Sequence, residues 1–144
     1  GDPEVIRVTP AAQYMTRYVT FTDPTYPETN LVVVRRKTSA GFADVTLDCA
    51  GKLGGWQPVD AADTFEWTRT DLVVDFAPQG RCDNGRHVLS SDGGFGLWIW
   101  GWGSPAPTHG DCQANGATCN VSYGYTGGES VVPINDIVIS PTPR

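Results

Sequence analysis

The nine residues Phe95-Gly96-Leu97-Trp98-Ile99-Trp100-Gly101-Trp102-Gly103 constrain this chain more than any other stretch. Side chains alternate between faces along a strand. Phe95, Leu97 and Ile99 therefore share one side, and Trp98, Trp100 and Trp102 the other. A strand that is apolar on both faces either lies between two layers or reserves one face for a ligand. Three tryptophans at spacing two can stack on sugar rings or on a partner's side chains. The more ordinary role of large aromatics in a small domain is to fill a second packing layer beneath a loop. Gly96, Gly101 and Gly103 would let another backbone or a ligand come close.

Elsewhere the pattern is equally strand-like. Helical periodicity is confined to residues 11–18, which run into the β-branched Val19 and Thr20. Short apolar or alternating runs are separated by turn residues at intervals of about 8–12, the spacing of a sandwich or barrel. Strands are expected at 5–8, 13–21, 31–35, 43–49, 64–68, 72–76, 86–90, 95–101, 121–125, 130–132 and 136–139. Asp23-Pro24-Thr25-Tyr26-Pro27 cannot sit in a central strand, because proline donates no ladder hydrogen bond. Asp83-Asn84-Gly85 reads as a tight turn, and Thr68-Arg69-Thr70-Asp71 as a link between two strands. The expected fold is an all-β, single-domain antiparallel β-sandwich of about nine to eleven strands over residues 1–144.

Five Trp, five Tyr and five Phe supply the burial such a domain needs, since each ring removes about 150–250 Å² from water. Four cysteines, Cys49, Cys82, Cys112 and Cys119, contain no Cys-x-x-Cys pair. Disulfides, and so an extracellular or cell-surface setting, are the better reading. Three pairings are formally open. Asn115-Gly116 between Cys112 and Cys119 readily turns the chain, which favours that pair and leaves Cys49 with Cys82. A zinc set of His109, Asp111, Cys112 and Cys119 has poor spacing.

The net charge of −6 repels phosphate backbones, and only Arg35-Arg36-Lys37 offsets it locally, so nucleic acid is excluded as an expected partner. No apolar run reaches the length of a membrane span. The chain opens on Gly1-Asp2-Pro3-Glu4 without a basic and apolar leader, and the expectation is a piece of a longer surface protein.

Catalytic patterns are missing: there is no Gly-x-Ser-x-Gly and no His-Glu-x-x-His. His87 beside Ser90 and Ser91 has no spacing that demands a nucleophile, so no catalytic residue, metal ligand or cofactor is predicted. The many aspartates fit no EF-hand spacing; a calcium site built from loops stays open but is not predicted. Asn120-Val121-Ser122 matches a glycosylation acceptor.

Several segments taken in order resemble the N-terminal domain family of the IgGFc-binding protein, in particular bacterial members within large secreted proteins of myxobacteria. They include Gln13-Tyr14, Phe21-Thr22-Asp23-Pro24, Asn30-Leu31-Val32-Val33-Val34-Arg35 and Val45-Thr46-Leu47-Asp48-Cys49. The series continues through Cys82-Asp83-Asn84-Gly85-Arg86-His87 and the tryptophan run to Ser122-Tyr123-Gly124-Tyr125. The resemblance implies a surface or secreted module and transfers no catalytic residue. The 104–118 loop is an elaboration on the family pattern, either a recognition loop or a stapled insertion.

The expected function is adhesion or recognition of a glycan or protein ligand on a cell surface or matrix. Trp98, Trp100, Trp102, Tyr123 and Tyr125 are the candidate binding residues; the tyrosines either join the tryptophans in one aromatic surface or, the favoured alternative, are interior residues whose hydroxyls bond loop backbone. A structural spacer meeting neighbouring domains of a parent protein is the first rival, and a hydrolase with a loop-built site the second.

Overall fold

The computed structural model describes residues 4–103 and 121–131. Among the described residues, nine strands form one antiparallel sheet: β1 Met15–Phe21, β2 Glu28–Arg36, β3 Val45–Leu47, β4 Gly51–Lys52, β5 Gln57–Pro58, β6 Phe65–Val74, β7 Ala77–Pro78, β8 Arg86–Trp102 and β9 Ser122–Thr126. The only helical turn among the described residues is a 3₁₀ turn, Ala11–Gln13.

The 17-residue β8 organises everything else. Its first part pairs with β1 on one side and β3 on the other; its second part pairs with β9 and β2. The change of partners falls at Ser91-Asp92-Gly93-Gly94. Met15 lies opposite Phe95 and Arg17 opposite Ser90, so four residues of β8 face the single Thr16. A bulge of this kind bends its strand and lets it pass from one layer to another. Gly93 and Gly94 suit the corner, because a Cβ on Gly93 would lie 2.9 Å from that of Ala43.

The bend is severe. Straight, β8 would hold Arg86 and Ile99 about 43 Å apart, at about 3.3 Å per residue. Yet Phe21, paired with Arg86, accepts a hydrogen bond from the hydroxyl of Tyr125, paired with Ile99. The sheet therefore curls back on itself. Its inner faces bury Tyr18, Val45, Leu47 and Leu89 from one layer against Leu31, Val33, Leu72, Leu97 and Ile99 from the other. The all-β antiparallel expectation holds, with the layers made by one continuous sheet rather than two.

Several boundaries differ from the sequence reading. Residues 64–76 were expected as two strands joined through Thr68 to Asp71; they give one strand, β6, because Asn30 to Arg36 of β2 supplies ladder partners without a break. The runs at 86–90 and 95–101 likewise belong to one strand. Residues 5–8 and 130–131 are not strands; 5–8 instead cross the outer face of the sheet, with the Arg7 carbonyl accepting from Trp98 Nε1 at 3.2 Å. The Asp83-Asn84-Gly85 turn is present, with Gly85 at φ 125°.

Cys49 and Cys82 form the expected disulfide, tying the end of β3 to the loop before β8. Cys112, Cys119, Asn120, the 104–118 loop and the strand expected at 136–139 lie outside the described residues. At the other end of the core the buried Arg35 sits 3.9 Å over the Trp56 ring. It pairs with Glu66 at 2.6 Å and donates to the Ala43 carbonyl at 2.8 Å.

Candidate functional site

Register decides where the five candidate residues go. Opposed residues of an antiparallel pair point to the same face. Trp98, Trp100 and Trp102 stand opposite Thr126, Gly124 and Ser122, whereas Tyr125 and Tyr123 stand opposite Ile99 and Gly101. The tryptophans therefore occupy the outer face and the tyrosines the inner one. They do not form one aromatic surface.

On the outer face burial falls along the strand. Trp98 is buried, touches Tyr14 edge to face at 6.4 Å and is held by its bond to Arg7. Trp100 is half-buried and stacks on Trp102 with centroids 5.0 Å apart and planes 5° off parallel. Trp102 is 38% exposed. Glycines make room: a Cβ on Gly96 would lie 2.7 Å from the Trp98 ring, and one on Gly124 2.9 Å from that of Trp100. Beside the stack, Ile6, Val8, Val32, Val34, Trp98 and Trp100 line a cavity of about 500 Å³. Its wall at Val8 is 74% exposed. The lining contains no ionisable side chain.

The tyrosines sit at the rim where the curled layers meet. Tyr123 covers Gly101, where a Cβ would fall 2.0 Å from the ring's Cε1. Its hydroxyl accepts from the Asp23 N–H at 3.2 Å, and the Tyr125 hydroxyl bonds Phe21 O and lies 3.0 Å from Thr20 Oγ1. Tyr26 meets Tyr123 edge on at 4.6 Å, and Tyr123 stacks against Tyr125 at 6.0 Å. Together with Phe21, Thr22, Asp23 and Pro24 these rings line a cavity of about 580 Å³. Burial pushes the Tyr123 phenol above its ordinary value. Tyr26 is raised by burial, then by the negative charges of Asp23 and Glu4. Phe21, Asp23 and Tyr26 were not among the residues read from sequence as binding candidates. The available signal was an aromatic between two prolines, Pro24 and Pro27, in a loop that cannot join the sheet.

His87 gives no catalytic arrangement with the serines. Its ring nitrogens face Asp48 Oδ1 at 3.3 Å and the Asp83 carbonyl at 2.7 Å, not Ser90 or Ser91. Asp48, Cys49 and His87 are close enough to share a metal ion, but the Cys49 sulfur is taken up by the disulfide.

The described residues thus form a curled all-β sheet pinned by a disulfide, with aromatic-lined cavities on two faces. The chain belongs to the IgGFc binding protein family, whose model matches residues 1–101. The matched span ends at Gly101, one residue short of the end of β8, and leaves β9 outside it. No curated protein and no solved structure matches the chain.

Proposed function

We propose that this chain is an extracellular recognition module that binds a protein ligand across the outer face of its sheet. The observation that carries the reading is the groove of Ile6, Val8, Val32, Val34, Trp98 and Trp100, continuous with the half-exposed Trp100–Trp102 stack. Open apolar surface rimmed by aromatics is a common mark of protein contact. A sugar would need hydrogen-bond partners beside the ring it stacks on, and this lining supplies few. The disulfide supports an oxidising, extracellular setting. No catalytic role is proposed: His87 is committed to Asp48 and Asp83.

The test is binding of the full chain to the Fc region of immunoglobulin G, to purified matrix proteins and to a glycan array. The family's name makes Fc the first probe, although no residue of this chain is tied to it. Val34→Glu and Trp100→Ala are expected to weaken a protein hit by about tenfold or more, with the far-UV spectrum unchanged. Binding to glycans alone, or protein binding indifferent to both variants, would overturn the proposal. So would the absence of any ligand, which fits a spacer that meets only its neighbouring domains.

A further inference from the structure

The tyrosine cavity at the rim has a chemistry of its own, independent of the outer-face groove. We infer that it binds a positively charged group, an alkylammonium or guanidinium, held against the Tyr26–Tyr123–Tyr125 rings and the Asp23 carboxylate.

Three observations converge. The rings make an angled wall: Tyr26 stands 83° to Tyr123, and Tyr123 lies within 21° of parallel to Tyr125. Aromatic faces carry negative quadrupole charge and attract cations lying within about 6 Å. Second, the charged side chain in the lining is negative, and the cation that the register places nearest, Arg86 opposite Phe21, stays outside it. Asp23 is in the lining, and Glu4 is close enough to act on Tyr26, while no Lys, Arg or His is among the lining residues. The Asp23 carboxylate is also fixed in place, its Oδ1 accepting from the Thr25 N–H at 2.8 Å and the Thr25 hydroxyl at 2.7 Å. Such a group needs little reordering when a ligand arrives.

Third, two of the three phenol hydroxyls already have partners in the protein. Tyr125 is bonded to the Phe21 carbonyl, and Tyr123 accepts from the Asp23 amide. Ring surface and a carboxylate are therefore the larger part of what this wall offers a ligand. A cavity of about 580 Å³ accommodates a lysine or arginine side chain of a partner protein, or a choline headgroup. The chain's net charge of −6 favours the approach of either.

The experiment follows tyrosine fluorescence and NMR shifts of the full chain during titration with four probes. They are choline, Nα-acetyl-lysine amide, methylguanidinium, and 3,3-dimethylbutan-1-ol as a neutral isostere of choline. At least one cation is expected to saturate about tenfold more tightly than the alcohol. Added salt should weaken the cation and leave the alcohol unchanged. Choline against the lysine and guanidinium probes distinguishes a headgroup from a protein side chain. Tyr26→Leu keeps much of the bulk and removes the ring, and should abolish the preference; Tyr26→Trp should keep it. Asp23→Asn should weaken the cation several-fold. Equal binding of alcohol and cations, no saturable binding of any cation, or full binding by folded Tyr26→Leu would each overturn the inference.

Discussion

The hydroxyl of Tyr18, in β1, donates a 2.5 Å hydrogen bond to the Phe95 carbonyl in β8, and the two rings meet edge to face at 4.9 Å. The same hydroxyl accepts from the Met15 N–H at 3.1 Å. One buried phenol thus satisfies two backbone groups at the point where β8 leaves its corner. Tyr18→Phe keeps the ring and removes the hydroxyl that bonds both groups. We expect a loss of about 1–3 kcal/mol in chemical denaturation with little change in the spectrum of the native state. An unchanged midpoint would mean that water replaces the hydroxyl there.

Burial raises the phenols of Tyr14, Tyr18, Tyr26 and Tyr123 above the ordinary value of 10.0. A group whose folded pKa lies above its unfolded one keeps its proton longer in the folded state. Once pH passes the unfolded value, the unfolded chain binds fewer protons, so stability falls as pH rises. The contribution is intact below about pH 10 and is lost progressively on the way up through the folded values. Unfolding followed from pH 8 to 11.5, beside a phenolate absorbance titration, checks this. A flat stability profile above pH 10 would contradict it.

The disulfide joins residues 33 apart in sequence. Closing a loop of that length removes unfolded-state entropy worth about 3–4 kcal/mol in the chain-entropy treatment. The Cys49→Ala/Cys82→Ala double variant should lower the thermal midpoint accordingly. Because Cys49 follows β3, protection of β3 and β4 amides in hydrogen exchange should fall before that of β2 and β6.

Gly101 is the floor on which Tyr123 lies. Gly101→Ala would put a methyl carbon 2.0 Å from Tyr123 Cε1 as the ring now stands, so the ring must swing away. The expected cost is about 1–3 kcal/mol, from overpacking and the lost bond to the Asp23 amide. Cation binding at the rim should fail in this variant while the outer-face groove is unaffected. Retention of both would show that the ring relaxes without leaving the cavity.

The period-two reading of the tryptophan run put Phe95, Leu97 and Ile99 on one face, because alternation is a property of one strand, and that face is the core. The disulfide between Cys49 and Cys82 was also legible, from cysteine count and turn chemistry. The relation between Trp100 and Tyr123 was not. Which face each takes depends on how β9 registers against β8, and no local signal fixes that. The corner at Gly93 and Gly94 was hidden for a similar reason: two glycines mark a turn as readily as a bulge inside one continuous strand. Val8 and Ile6 have strand-like composition but no ladder partner, so propensity misplaced them.

Because β8 is shared by both layers and comes late in the sequence, order of synthesis matters. Among the described residues, β1 has no strand neighbour, and β3 has only the two-residue β4, until residues 86–95 of β8 have emerged from the ribosome. Half of the core must therefore wait, unpaired and greasy, for a ribbon that begins only at residue 86. Folding should be slow for this domain, and a chain stalled before residue 86 should be a client for chaperones rather than a half-built fold.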